Sequence, residues 1–162
     1  MKTFLSQFLV CAGVALAGAL NTLAQDKVEQ LAIIVNPASS LSDISFADLQ
    51  RYFKAERTKT PEGTKILIAM MEVGRPERDA ALKLIYKMSE EEYNDYFVGQ
   101  TFTGAVTAAP KSFPSAANVK RYVAENRGAI GYIRASEADD SVKVLKINGK
   151  SPGEAEYKLP MK

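Results

Sequence analysis

The stretch NRGAIGYI, residues 126–133, combines the end of a predicted helix with the start of a predicted strand. Ser115 is a typical N-cap for that helix, and apolar residues follow it at helical spacing. These apolar residues are Val119, Tyr122 and Val123. Gly128 stands where a left-handed residue would end the helix. Residues 129–133 form an apolar run typical of a buried strand, so helix and strand alternate here.

The same alternation extends toward the N-terminus. Residues 31–35 are continuously apolar and stop at the Asn-Pro pair 36–37, which predicts a strand covered on both faces. A capping box precedes a helix predicted over residues 46–55. A second buried strand is predicted over residues 66–71, and it leads to a helix that starts near Pro76.

Downstream, Ser89 and Glu92 form another capping box in front of a helix with an aromatic core face. The aromatic residues are Tyr93, Tyr96 and Phe97. Residues 100–115 show no period and are rich in small residues and proline, which predicts a long loop. Residues 142–147 alternate apolar side chains with lysines and predict a half-exposed final strand, followed by an irregular tail from Gly149.

This order of elements predicts the α/β class. Strands that alternate with helices form a mixed, mainly parallel sheet with helices on both faces. Ligands of such sheets bind at the C-terminal ends of the strands, beside helix N-termini.

The N-terminus has the order of a secretory leader. Lys2 precedes an uncharged run over residues 8–20, and small residues occupy the positions that a signal peptidase inspects before Ala24. The run is shorter than the about 18 residues that a spanning helix needs. We therefore expect a signal peptide over residues 1–24, one domain over residues 25–162, and a periplasmic or secreted location. An uncleaved N-terminal anchor is the alternative.

The mature chain lacks the residues of many enzyme classes. It has no histidine or tryptophan, and its one cysteine, Cys11, lies in the leader. Thiolate or imidazole zinc sites and Ser-His-Asp or Cys-His nucleophile systems are therefore excluded. Without Lys2 the charge is close to balanced, which indicates no nucleic-acid partner. We expect no enzyme activity, no cofactor, no metal site and no stable membrane span after cleavage.

One stretch carries a candidate site. VGRPERDAAL, residues 73–82, follows the second buried strand and opens a helix at Pro76. The backbone amides of Glu77, Arg78 and Asp79 are predicted to be unpaired donors that face the crevice. Arg75 and Arg78 would add charge-assisted contacts to a phosphate or carboxylate.

The same stretch has a second interpretation. Glu72, Glu77 and Asp79 place three negative charges beside the two arginines. Acidic residues are common in the first turn of any stable helix. A capped helix with solvated arginines would have this sequence without binding any anion.

Four segments, in this order, resemble the phosphate-binding-protein-like group of type II periplasmic binding proteins. The segments are IIVNPASSLSDISFADLQRYF from residue 33, TPEGTKI from residue 60, FTG at 102–104 and NRGAIGYI at 126–133. They resemble the group's first strand and helix, its Trp-Pro-Asp-Gly turn, its loop after the aromatic helix, and its Asn-Pro-Gly-Ala-Ile-Gly-Tyr strand. The resemblance spans residues 31 to about 149.

The resemblance implies one lobe, with part of a second, of an exported binding protein that serves an ABC importer. It implies a small oxyanion such as phosphate as the ligand, with Thr103 and Gly104 added to the candidate ligand-binding residues. The group's phosphate-gripping Ser-Gly-Thr is replaced here by Pro76, Glu77 and Arg78, and its early Thr-Gly-Ala-Gly loop is missing.

Two hypotheses for the function follow. The first is an exported solute-binding domain that holds an oxyanion with the amides of residues 77–79 and with Arg75 or Arg78. The second is a ligand-free interaction or sensory module of the cell envelope, whose same surface contacts another protein.

Overall fold

The computed structural model describes residues 28–106 and 109–161. The predicted signal peptide lies outside these residues. Strands follow in the order β1 Leu31–Val35, β2 Asp43–Ile44, β3 Leu67–Met71, β4 Lys111–Phe113, β5 Ala129–Arg134, β6 Lys143–Val144 and β7 Lys146–Ile147. The helices are α1 Phe46–Phe53, α2 Pro76–Ala81, α3 Glu90–Phe102 and α4 Ala116–Glu125. A π-helical turn, Leu82–Tyr86, extends α2.

The main sheet has five strands in the order β4-β3-β5-β1-β6. β3 is parallel to both β4 and β5. β1 is antiparallel to both its neighbours, β5 and β6, so four of the five strands point the same way. β2 and β7 form a separate parallel pair. The predicted fold class, a mixed and mainly parallel α/β sheet with flanking helices, is confirmed.

The core is built around the centre of the sheet. All five residues of β1 are buried, as expected for a strand covered on both faces. On one face, α4 packs closely at Gly131, where a Cβ atom would lie 3.0 Å from the Val119 side chain. The other face carries an aromatic cluster in which Tyr86 contacts Phe53 and Tyr93 edge-on.

The Asn-Pro turn after β1 has a further role in packing. The Asn36 side-chain amide donates hydrogen bonds to the backbone carbonyls of Val123 and Ala124, at 3.0 and 2.7 Å. These carbonyls belong to the last turn of α4, where no helical amide follows one turn further along the chain. Asn36 therefore ties the end of β1 to the end of α4.

Three element predictions are corrected. α4 ends at Glu125, and Gly128 is not left-handed; glycine is needed because a Cβ atom there would lie 1.9 Å from the Lys65 carbonyl oxygen. The predicted loop 100–115 contains the end of α3 and the strand β4. The predicted strand 142–147 is two short strands, because the first pairs with β1 and the second pairs with β2.

The helices of the described residues are all too short or too polar to cross a lipid bilayer.

Candidate functional site

The predicted site lies at the edge of the sheet where β3 ends and α2 begins. Gly74 adopts a left-handed φ of 84°, which turns the chain between these two elements. Arg75 is the N-cap residue of α2 and Pro76 is its first helical residue, as the sequence predicts. β5 lies parallel to β3, so Arg134 at its end reaches the same edge of the sheet.

Glu77 occupies this edge with its own carboxylate. Its side chain is 1% exposed, and Oε1 accepts a hydrogen bond from Nε of Arg134. The other oxygen, Oε2, lies 3.7 Å from Nε of Arg75 and has no hydrogen-bond partner. Arg134 also holds Glu29 at 2.7 Å. This edge of the sheet therefore contains a chain of alternating charges that belong to the protein itself.

This environment changes the pKa of the Glu77 carboxyl. Burial alone would raise the pKa of its carboxyl. The hydrogen bonds from Arg134 and from its own backbone, with the charges of Arg134 and Arg75, outweigh burial and lower the pKa. The same hydrogen bond to Glu77 raises the pKa of Arg134. Glu77 is thus held as an anion at neutral pH.

Arg78 is also committed to internal partners. Its side chain is 4% exposed. Nε and Nη2 donate to the two oxygens of Glu90 at 2.8 and 2.7 Å, and Nη1 donates to the Met71 carbonyl at 3.0 Å. Its guanidinium lies 4.9 Å from the ring centre of Tyr93. A guanidinium with these contacts joins β3, α2 and α3 and offers no free face to a ligand.

The expectation of free amides at residues 77–79 is wrong for two of the three. The amides of Arg78 and Asp79 both donate to the Arg75 carbonyl, at 2.9 and 3.1 Å. The first turn closes on its own N-cap carbonyl, which uses donors that a sequence-based view of helix ends leaves open. The amide of Glu77 stabilises its own carboxylate.

Two candidate residues remain at the surface beside α2. The Arg75 guanidinium is 45% exposed and is the candidate cation that stays open to solvent. Asp79 lines a groove of about 330 Å³ together with Lys83 and Pro160. The concave surface nearest to α2 therefore presents one acid and one lysine.

Thr103 and Gly104 lie at the far end of α3. Glu90, the partner of Arg78, is the first residue of α3, and Thr103 is its C-cap. Thirteen helical residues separate the two ends by about 20 Å. The Thr103 hydroxyl is within hydrogen-bond distance of the Gly99 and Gln100 carbonyls. The structure does not bring Thr103 or Gly104 to Arg75.

Sequence reasoning missed the residues that pair with the candidate site. Arg134, Glu29 and Glu90 have no motif spacing relative to residues 75–79. Arg134 could have been found, since a charged residue that directly follows a buried strand lies at the ligand-binding edge of a parallel sheet. In the described part of the chain, no cluster of three or more metal-binding side chains is present.

The α/β fold of this chain matches about half of the length of several solved phosphate-binding proteins. Comparison with solved structures gives neighbours of the phosphate-binding group. No family model and no curated relative matches the sequence.

Three of the similar structures have TM-scores of about 0.6. A substrate-binding protein of the phosphate ABC transporter type from Clostridium perfringens, solved with bound phosphate, gives 0.63 at 23% identity. An ABC-type phosphate transport receptor from Vibrio cholerae gives 0.63 at 22%. PstS from Borrelia burgdorferi gives 0.59 at 18%. Each match covers 76% of this chain and 47%, 48% and 49% of the respective neighbour. The chain thus has the fold of about half of these proteins.

Proposed function

We propose that this chain is an exported solute-binding lobe that recognises a small oxyanion of the phosphate type. The observation that supports the proposal is the fold, which the chain shares with phosphate-binding proteins over three quarters of its length. In this proposal the chain works in the periplasm, or outside the cell, with an ABC importer as partner.

Arg75 is the proposed ligand contact. It is the exposed cation at the N-cap of α2, at the edge of the sheet where ligands of α/β folds bind. Its guanidinium can donate two parallel hydrogen bonds to an oxyanion. Arg78 is a positioning residue in this arrangement, because its fork is filled by Glu90 and the Met71 carbonyl.

The ligand would compete with Glu77 for Arg75. Glu77 Oε2 is 3.7 Å from Arg75, so an incoming anion meets a resident negative charge. A unit charge near 4 Å contributes about 1 kcal/mol in water and about 4 kcal/mol at an effective dielectric near 20. We therefore expect weak binding by the natural chain, and binding at least about fivefold tighter in Glu77→Gln.

Isothermal titration calorimetry tests this proposal. Phosphate, sulfate and acetate are titrated into the natural chain, into Glu77→Gln and into Arg75→Ala. Saturable heat with phosphate or sulfate that is strengthened in Glu77→Gln and lost in Arg75→Ala supports the proposal. Arg51→Ala is the matched control, since Arg51 is an exposed arginine of α1 in a surface pair with Asp48. Absence of heat at millimolar anion in both the natural chain and Glu77→Gln contradicts it.

The internal ion pairs favour a second candidate function. If Glu77 permanently fills the anion position, the lobe is a ligand-free interaction or sensory module of the envelope. A pull-down from envelope extract, with this chain as bait and no added solute, would then recover one partner. A chain that stays monomeric and alone in such an extract, yet binds phosphate in the calorimeter, speaks against this second candidate.

A further inference from the structure

The outer face of α3 is exposed, and none of residues 28–106 and 109–161 packs over it. Glu91, Asp95, Val98 and Phe102 follow one another at intervals of four, three and four residues, so they lie along one side of the helix. Val98 is 69% exposed and Phe102 is 93% exposed. The opposite side of α3 carries the buried residues of the helix, so this exposed stripe is not the side that packs on the core.

A groove runs beside the exposed phenylalanine. It has a volume of about 410 Å³, and Phe97, Val98, Phe102 and Ala109 contribute to its apolar walls. Isolated exposed apolar residues are common, but two large ones on one helix face beside an apolar groove indicate a surface that another group covers.

The charges along the same face are of one sign. α3 contains four acids and no lysine or arginine. Glu90 is paired with Arg78, and Glu92 accepts the Ser89 amide of the capping box. Glu91 and Asp95 form no ion pair within the described residues. The face thus has a free acidic half, Glu91 and Asp95, and an apolar half, Val98 and Phe102.

A second copy of the chain does not fit this face. Parallel pairing would place Glu91 and Asp95 against the same acids of the other copy. Antiparallel pairing would cover these two carboxylates with Val98 and Phe102 and leave them desolvated without a partner. The surface is complementary to a different sequence.

We propose that the outer face of α3 docks a helical segment of another protein with lysines or arginines at one end and leucine-like residues at the other. The spacing of 91, 95, 98 and 102 is that of a two-helix seam, so the partner would pack as a helix along α3. The proposed orientation is parallel. Its basic residues pair with Glu91 and Asp95, and its apolar residues cover Val98 and Phe102. This docking is independent of any oxyanion at Arg75.

A labelled synthetic helix provides the test. The probe is an amphipathic peptide with two lysines and then two leucines at intervals of four, three and four residues. Fluorescence anisotropy measures its binding to the natural chain at low and at physiological salt. We expect saturable binding that weakens with salt. Phe102→Ser should weaken binding about tenfold, because it removes the largest exposed apolar contact.

A charge reversal distinguishes specific docking from nonspecific hydrophobic binding. The double variant Glu91→Lys and Asp95→Lys should lose the lysine probe and bind a probe in which glutamates replace the lysines. Val73→Ser is the control, since Val73 lies outside α3 and is as exposed as Val98. Circular dichroism checks that each variant is folded. Three results would each overturn the proposal: no binding at millimolar probe, binding unchanged in Phe102→Ser, or a dimer of the natural chain that Phe102→Ser dissociates.

Discussion

Arg78 and Glu90 form a two-bond ion pair, with Nε and Nη2 of the arginine 2.8 and 2.7 Å from the two carboxylate oxygens. The pair joins the first turn of α2 to the first residue of α3, and the same guanidinium holds the Met71 carbonyl at the end of β3. Burial favours the uncharged arginine, but the hydrogen bond and charge of Glu90 outweigh it and raise the pKa of Arg78. The arginine that the sequence offers for an anion is therefore used to assemble the lobe.

The first prediction concerns the stability that this pair provides. Arg78→Ala leaves the Met71 carbonyl and Glu90 without their donor, and we expect a loss of about 2 kcal/mol in the free energy of unfolding. Arg78→Lys keeps the charge but not the fork, and should recover less than half of the loss. Urea denaturation measures both. Arg51→Ala should change stability by less than about 0.5 kcal/mol, because Arg51 belongs to an exposed pair. Equal effects of Arg78→Ala and Arg51→Ala would contradict this account.

The second prediction compares two glycines. A Cβ atom at Gly128 would lie 1.9 Å from the Lys65 carbonyl oxygen, a backbone atom that cannot move aside cheaply. Gly128→Ala should therefore destabilise the fold by about 2 kcal/mol or more. Gly99 lies within α3 with open space around its Cα atom, so Gly99→Ala should stabilise it by about 0.5–1 kcal/mol. Thermal unfolding of the two variants should shift in opposite directions, and a shift in the same direction would count against the close approach at Gly128.

Much of this fold is predictable because local signals agree with it. The Asn-Pro turn, the N-caps Ser45 and Ser89 and the start at Pro76 all correspond to observed element ends. The antiparallel direction of β1 could not be predicted from the sequence. A continuously apolar strand is buried whether it runs parallel or antiparallel to its neighbours, so its sequence does not distinguish the two directions. β4 was missed because three partly exposed residues between two prolines have no measurable period.

The candidate site was less predictable than the fold. The sequence places Arg75, Glu77 and Arg78 correctly at the start of a helix after β3. Their partners are distant in sequence: Arg134 lies 57 residues from Glu77. Whether a helix end binds a ligand or a side chain of the same protein depends on such long-range pairing, and a periodic pattern contains no information about it.

The third prediction concerns Glu77 and acid. The pKa of its carboxyl is lowered from the ordinary value of 4.5 in the folded chain. Its contribution to stability is therefore present above about pH 4.5 and is lost as the pH falls through the lower, folded-state pKa. The natural chain should be more stable than Glu77→Gln near about pH 6, and the difference should shrink toward about pH 3. Urea denaturation across this range measures it, and a difference that stays constant with pH would mean that Glu77 is not ionised in the fold.

The last prediction concerns Met70, whose sulfur accepts hydrogen bonds from two buried phenols. The hydroxyls of Tyr86 and Tyr93 lie 3.2 and 3.0 Å from Sδ. Met70→Leu keeps the volume but removes the acceptor, so at least one hydroxyl is left unsatisfied. The loss in the free energy of unfolding should be about 1–2 kcal/mol greater for Met70→Leu than for Met71→Leu. Met71 is equally buried, but its sulfur accepts no hydrogen bond from the described residues.

A triple variant distinguishes hydrogen bonding at Met70 from packing. Adding Tyr86→Phe and Tyr93→Phe to Met70→Leu removes the unsatisfied hydroxyls and should recover part of the lost stability, whereas a pure packing defect would become worse. Urea denaturation of the single and triple variants measures this difference. A triple variant less stable than Met70→Leu would show that the sulfur serves here only to fill space. Recovery would show that the aromatic face of the sheet depends on a thioether acceptor near the end of β3, which β-strand propensity does not predict.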